Sequence, residues 1–351
     1  MWQVVGQTRS LSLLQFGLKR GSLAHAYLFI GPPHVGKMTL ALNLAQALNC
    51  VAVEPPCGVC SSCQEIASAK HPDVQIVGLS EDANSAEGKL RAEIGINQIR
   101  EIQHWASLPP FEGKYKVFII DGAELLSIEA ANCLLKTLEE PLDKVMFVLL
   151  TINDRLLPAT VVSRCQRLEF FPVAAAEVEA VLNQRGIESA KANLLSRLCR
   201  GCIGWAISAA LDSGLLQQRA EQLDRLIDIG DADYEERFAY AARLATQFSQ
   251  DRGTVQGVLD LWLDYWRDLL LITAGCSETI TNVDRLAMLV EMSGGYNLFQ
   301  IKAFIDNIRA AGEQLSQNAN PRLVLEALML GIPEKEGGSR GNPTQLEVKY
   351  G

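Results

Sequence analysis

No run of apolar residues in this 351-residue chain approaches the roughly 18 that would suggest a membrane-spanning helix. The first ten residues, MWQVVGQTRS, lack a basic stretch followed by a long apolar core, which argues against a secretory leader and for a cytoplasmic location. Positive charge is in deficit: 32 Lys and Arg against 41 Asp and Glu leave a formal −9. The chain as a whole therefore has no attraction for nucleic acid, and any DNA contact has to be local or shared with a partner. Cysteine is not scarce, and part of it is clustered at metal-type spacing, which in a cytosolic chain points to zinc rather than disulfides. With 48% apolar and 21% charged residues, the length suffices for two or three domains with sizeable cores.

The strongest local signal runs from Ala26 to Leu40. An apolar run, Tyr27-Leu28-Phe29-Ile30, leads into Gly31-Pro-Pro-His-Val-Gly36-Lys37 and then into a helical pattern with Leu40, Leu44, Ala47 and Leu48 on one face. Strand, glycine loop and helix together form the context of a phosphate-binding P-loop. Backbone N–H groups and the helix N-terminus would face the anion of ATP or ADP, with Lys37 reaching the β-phosphate and, in ATP, the γ-phosphate. The residue after the lysine, however, is Met38 where a Mg²⁺-binding hydroxyl belongs. Thr39 is adjacent but about 100° around the helix, a poor substitute. Nucleotide can bind such a loop, with weakened Mg²⁺ dependence. The plainer reading is a structural turn with a solvated lysine.

Next come Cys50, Cys57, Cys60 and Cys63. Two consecutive Cys-x2-Cys steps with a fourth cysteine upstream fit a closed tetrahedral shell around structural Zn²⁺, with Gly58 in the first tight turn. No ligand is left over to activate a water. Further strands read at 71–77, 115–121 (YKVFIID), 145–151 (VMFVLLT) and 168–170. Helices read at 94–105, 123–138 (with Leu126, Ala130, Leu134 and Leu138 aligned) and 160–165. Residues 80–93 are polar and expected to be mobile. Asp121 ends its strand where an NTPase orients Mg²⁺, or else caps the next helix. Glu124 sits where a water-activating carboxylate belongs, or is a helix N-terminal charge. Thr151 and Asn153 would approach a γ-phosphate, or form an ordinary turn. Beyond Phe171 only helical patterns follow. Three short ones span 175–185, 190–198 and 201–211, and longer ones carry Leu216–Ile227, Phe238–Phe248, Val255–Leu269, Ile301–Leu315 and 322–330. Trp262 and Trp266 fall on an apolar stripe and read as core.

Taken together, HAYLFIGPPHVGK (25–37), CGVCSSC (57–63), IGINQIREIQ (94–103), VFIIDGAELLSIEAANCLLKTLEEP (117–141), SRC (163–165) and NPRLVLEALML (320–330) resemble the AAA+ clamp-loader family of bacterial replication. The resemblance implies an α/β then all-α fold: an AAA+ P-loop parallel-sheet domain (1–171) with an inserted zinc module (50–63), a small helical lid (172–212) and a helical collar (213–333). A disordered tail (334–351) would follow. It also implies a hetero-pentamer with gamma/tau and delta subunits that opens a sliding clamp and closes it on primed DNA. Three departures from the motor pattern point the same way. These are Met38, the spaced acids of Asp121-Gly-Ala-Glu124, and Gly204 where motors carry a phosphate-sensing arginine. Single positioned donors of this kind are typically worth ~10²–10³ in rate. By contrast Ser163-Arg164-Cys165 is intact, and in the family its arginine is a finger serving the neighbour's ATP site, worth about 10³–10⁵ in other NTPases. The chain thus reads as a stator that lends Arg164 in trans and has weak or no ATPase of its own.

The alternatives are an active gamma/tau-type motor and a zinc-dependent nucleic-acid module. The cysteine cluster lacks the interleaved basic and aromatic residues of the latter. Arg164 by itself also fits a surface arginine paired with Glu169 or a backbone carbonyl. Lys136 is a candidate for a DNA-facing or intersubunit surface.

Overall fold

A computed structural model describes residues 2–79, 93–317 and 319–335. The expected mobile 80–93 segment, apart from Glu93, and the expected tail beyond Lys335 lie outside the described residues. The chain divides into two compact units, Met1–Leu215 and Leu216–Gly351.

In the first unit, α1 (Thr8–Arg20) precedes β1 (Ala26–Ile30), the P-loop and α2 (Lys37–Asn49). Then come α3 (Ser61–Ala67), β2 (Val74–Val77), α4 (Ile96–Ser107), β3 (Lys116–Asp121), α5 (Ile128–Glu139) and β4 (Val145–Thr151). After these, α6 (Ala159–Val162), β5 (Gln166–Glu169), α7 (Ala175–Gln184), α8 (Ser189–Leu198) and α9 (Ile203–Leu211) complete the unit. The five strands form one sheet in the order β2-β3-β4-β1-β5, and every pairing is parallel. β1 and β4 are apolar along their length because both faces of the sheet are covered, as parallel sheets require. One face packs Leu40, Leu44 and Leu48 of α2 on Phe29, Val148 and Ile119. The other packs Ile99 and Ile102 of α4 and Leu134 and Leu138 of α5 on Leu28, Phe118 and Leu149. The fold is the expected α/β parallel sheet, followed among the described residues by helices only.

Several boundaries differ from the periodicity. A single helix over 123–138 is replaced by a short 3-10 turn (Ala123–Leu125), a break at Leu126 and then α5. Leu126 pairs with Ile94 as an isolated bridge. The Ile94 amide donates to the Leu125 carbonyl at 2.7 Å and the Ser127 amide to the Ile94 carbonyl at 3.0 Å. Those groups are thereby withdrawn from a helical ladder, and Ser127 restarts the helix as N-cap, its Oγ accepting from Ala130 N. Similarly, the 160–165 helix is only Ala159–Val162, with Ser163–Cys165 in the turn that follows.

The second unit contains α10 (Ser213–Asp231, which starts just ahead of the boundary), α11 (Tyr234–Gln250), α12 (Arg252–Thr273), α13 (Leu286–Ser293), α14 (Leu298–Ser316) and α15 (Pro321–Leu330). Trp262 and Trp266 are core, each stacked edge-on against Phe304 at 5.0 and 4.8 Å between ring centroids. Helix α13 escaped the pattern reading because only Leu289 of its eight residues is fully buried. The loop before it is fixed by Asp268, a fully buried carboxylate. It accepts from the amides of Thr281 and Asn282 and from Asn282 Nδ2, satisfying a charge that would otherwise be costly to bury.

Candidate functional site

Parallel strands give the sheet of the first unit two unlike edges, and the candidate residues divide between them. At the carboxyl edge, β1 ends in the P-loop. Gly36, at φ +107°, is the N-cap of α2, a backbone conformation that L side chains rarely adopt. Lys37 opens the helix, buried, and its ammonium donates to the carbonyls of Gly31 and, at 2.8 Å, Pro32. Burial lowers its pKa from the ordinary lysine value, while the charges of Glu124 and Asp121 oppose the shift. His34 is also held below its usual value by burial and by Lys37, against the pull of Asp121. Thus Lys37, Asp121 and Glu124 share one electrostatic site. Oε2 of Glu124 is buried without a hydrogen-bond partner, the kind of acceptor that a cation or water at a phosphate would satisfy. Thr151 ends β4 next to Ile30, donates its hydroxyl to Asn153 O at 3.1 Å and accepts from Asn153 N at 3.2 Å. The Thr151–Asn153 pair therefore closes its own turn.

Gly31, Gly36, Lys37, Asp121, Glu124 and Thr151 all lie at this edge. Two features run against metal-assisted hydrolysis. Met38 is partly buried and packs against the core cluster that includes Val35, Leu40 and Leu44, so an apolar side chain stands where a metal-binding hydroxyl was expected. Thr39, on the next residue of the helix, is half-buried. In addition, the amide of Gly204 in α9 donates to His34 O at 2.8 Å, and a Cβ at Gly204 would lie 2.8 Å from that same oxygen. The helical segment here rests on the P-loop where a phosphate-sensing side chain would have to stand.

The amino edge is built differently. Helix α2 returns there and ends at Asn49, whose Oδ1 accepts from the amides of Lys114 and Tyr115 just before β3. Lys114 Nζ donates to Cys50 O at 2.9 Å, and Gln46 Nε2 to Cys63 O at 2.8 Å. These bonds seat the four-cysteine module, whose sulfurs all lie within 4.8 Å of one another. The Cys50–Cys60 and Cys57–Cys63 sulfur separations are both 4.0 Å. A tetrahedron of Zn–S bonds near 2.3 Å has edges of about 3.8 Å, so the donors fit zinc. Gly58 has the positive φ, +78°, that its tight turn needs. As free thiols they differ: the amides of Val59 and Cys60 draw Cys57 down to about 6, while burial pushes Cys63 up to about 12. A metal would hold all four as thiolates.

Beside the module, Asp73 accepts from three loop amides: Phe111 at 2.7, Glu112 at 2.8 and Gly113 at 2.7 Å. Burial pushes its carboxyl up, but the Gly113, Phe111 and Glu112 amides and His71 outweigh this and hold it below the ordinary carboxylate value. Sequence reading placed 71–77 in a strand; the strand starts only at Val74, because His71–Asp73 are a turn that anchors this loop. An Asp at the mouth of a strand was the available signal.

Arg164 is on this edge as well. Arg164 lies in the turn just before β5, whose first residue, Gln166, is level with Tyr27. The P-loop starts at Gly31, four residues beyond Tyr27, so even from Gln166 it is roughly 13 Å away along the strand at about 3.3 Å per residue. Arg164 therefore cannot serve its own chain's phosphate site. Its Nη2 pairs with Glu139 Oε1 at 2.6 Å and its Nη1 donates to Thr160 O at 2.8 Å. The backbone carbonyl was anticipated, but the carboxylate is Glu139 rather than Glu169, which faces Arg167 at 3.8 Å.

Residues 6–174 match the family model described as DNA polymerase III, delta subunit. The tau subunit of Bacillus subtilis DNA polymerase III is 27% identical over 370 residues, covering 98% of this chain and 63% of the relative. The delta' subunit of the same organism is 28% identical over 332 residues, 93% of this chain and 96% of the relative. Escherichia coli tau is 34% identical over 241 residues, but the match spans only 36% of that protein and 66% of this chain. Among solved structures, a gamma-subunit-related protein of Thermotoga maritima overlays with a TM-score of 0.44 at 18% identity, covering 92% of this chain and 99% of that one. No described helix is long and apolar enough to cross a membrane. Over residues 6–174 the chain is thus similar to the family described as DNA polymerase III, delta subunit.

Proposed function

We propose that the chain is a delta'-type subunit of the DNA polymerase III clamp loader. In this reading it is a stator that works in a hetero-pentamer with gamma/tau and delta subunits during loading of the sliding clamp on primed DNA. The observation that carries it is the division of the sheet: Arg164 stands at the amino edge, one third exposed and out of reach of its own P-loop. A guanidinium so placed acts on a nucleotide only if another subunit supplies it. Met38 and the Gly204–His34 contact add that the chain's own pocket is poorly equipped to hydrolyse. A relative named delta', matched along 96% of its length, supports the same assignment. Cys50, Cys57, Cys60 and Cys63 hold a structural zinc that braces the amino edge. The three-part division into sheet domain (1–171), lid (172–212) and collar (213–333) is proposed with it, as is a cytoplasmic location.

Calorimetric titration of ATP with and without Mg²⁺ tests the pocket. The stator reading predicts affinity independent of Mg²⁺ and negligible turnover by the purified chain. The alternative of an active gamma/tau-type motor has one observation in its favour, the unpartnered Glu124 Oε2 beside Lys37. Mg²⁺-dependent hydrolysis abolished by Lys37→Ala would establish it instead.

A further inference from the structure

We propose that Glu139 is the positioning residue of the Arg164 finger, an inference that rests on the stator reading. The turn carrying Arg164 has little freedom of its own. Amides of Ser163, Arg164 and Cys165 donate back to Ala159, Val161 and Val162. The Cys165 side chain is partly buried and packs against the core of this face of the sheet, its thiol pushed up to about 12 by burial. What remains free is a long side chain with several rotatable bonds, and two groups fix it. Thr160 O takes an Nη1 proton and the Glu139 carboxylate an Nη2 proton, with Ser163 Oγ a weaker third acceptor at 3.4 Å. A guanidinium carries five N–H donors, so two remain for a ligand.

Glu139 is an unusual group for its place. It is the last residue of α5, followed by Glu140, at the end of a helix dipole where carboxylates are disfavoured. It is also half-exposed, at 50%, so the ion pair does little to hold the fold. A weak, exposed pair can nevertheless select one rotamer of a flexible side chain. Selecting the rotamer in advance removes an entropy cost that would otherwise fall on the transition state in the neighbour's site. Glu139 keeps its single Nη2 proton throughout, and the phosphate takes the donors left over.

The test is steady-state ATPase of this chain reconstituted with the motor subunits of its own organism, comparing Glu139→Ala, Glu139→Gln and Arg164→Ala. Misplacing a catalytic group by about 1 Å can cost up to ~10² in rate, so Glu139→Ala should lower kcat roughly tenfold with KM for ATP unchanged. Glu139→Gln, which keeps an acceptor oxygen at the same place, should recover to within about threefold of wild type. Wild-type or raised turnover in Glu139→Ala beside an inactive Arg164→Ala overturns the positioning role and leaves the finger intact. So does a change confined to KM, or a Gln variant as poor as Ala. An Arg164→Ala complex with full activity overturns the finger reading itself.

Discussion

The two edges of one sheet have been treated differently by this sequence. At the carboxyl edge the glycine loop, Lys37, Asp121 and Glu124 persist, yet Met38 packs partly buried against the core and Gly204 is seated on the P-loop backbone. At the amino edge several polar groups are tied down. Asp73 and Asn49 together accept from five loop amides, four sulfurs converge at metal-ligand distance, and Arg164 is held by Glu139 and Thr160. On the proposed reading, the difference teaches that a parallel sheet can keep a P-loop as architecture while the group it lends to a neighbour stands at the opposite strand ends.

The comparison can be broken in several ways. Stripping zinc should have the largest effect. Structural zinc sites contribute on the order of 10 kcal/mol of local folding free energy in small modules, so a chelator or Cys60→Ser should unfold residues 50–63. Hydrogen exchange should show protection lost there and retained in β1 and β4. Equal loss at both edges would erase the distinction. Replacing Arg164 by alanine should lower the partner's ATPase by about 10³ while leaving nucleotide affinity of this chain unchanged, read by turnover and calorimetry. Asp73→Asn should cost about 2 kcal/mol in urea denaturation, because three amides lose a charged acceptor. Its pH dependence has a definite sign. The folded carboxyl titrates below its unfolded value near 3.9, so the stabilisation is complete above that value and lost as pH falls through the lower folded one. The gap between wild type and variant should close in that acid range and stay constant above it. Met38→Thr should be smallest, costing about 1 kcal/mol of packing. It should make ATP affinity Mg²⁺-dependent without bringing turnover to motor levels, since Gly204 is unchanged.

Much of this was legible in the sequence because the signals are local. Apolar runs gave the strands, and Cys-x2-Cys steps and the glycine loop announce their chemistry through spacing. Leu126 misled because it keeps helical period while the backbones of its neighbours Leu125 and Ser127 bond to Ile94, some thirty residues away. Asp73, Asn49 and Glu139 could not be identified for a related reason. Their partners are amides or a guanidinium brought close only by the sheet, and no periodicity encodes a hydrogen bond across 25 to 66 residues.

The most direct test pairs one substitution from each edge in the reconstituted assembly and measures ATP turnover. Lys37→Ala should leave turnover near wild type while Arg164→Ala abolishes it. Loss on Lys37→Ala with normal turnover on Arg164→Ala would show that this chain burns its own nucleotide and lends nothing to its neighbour.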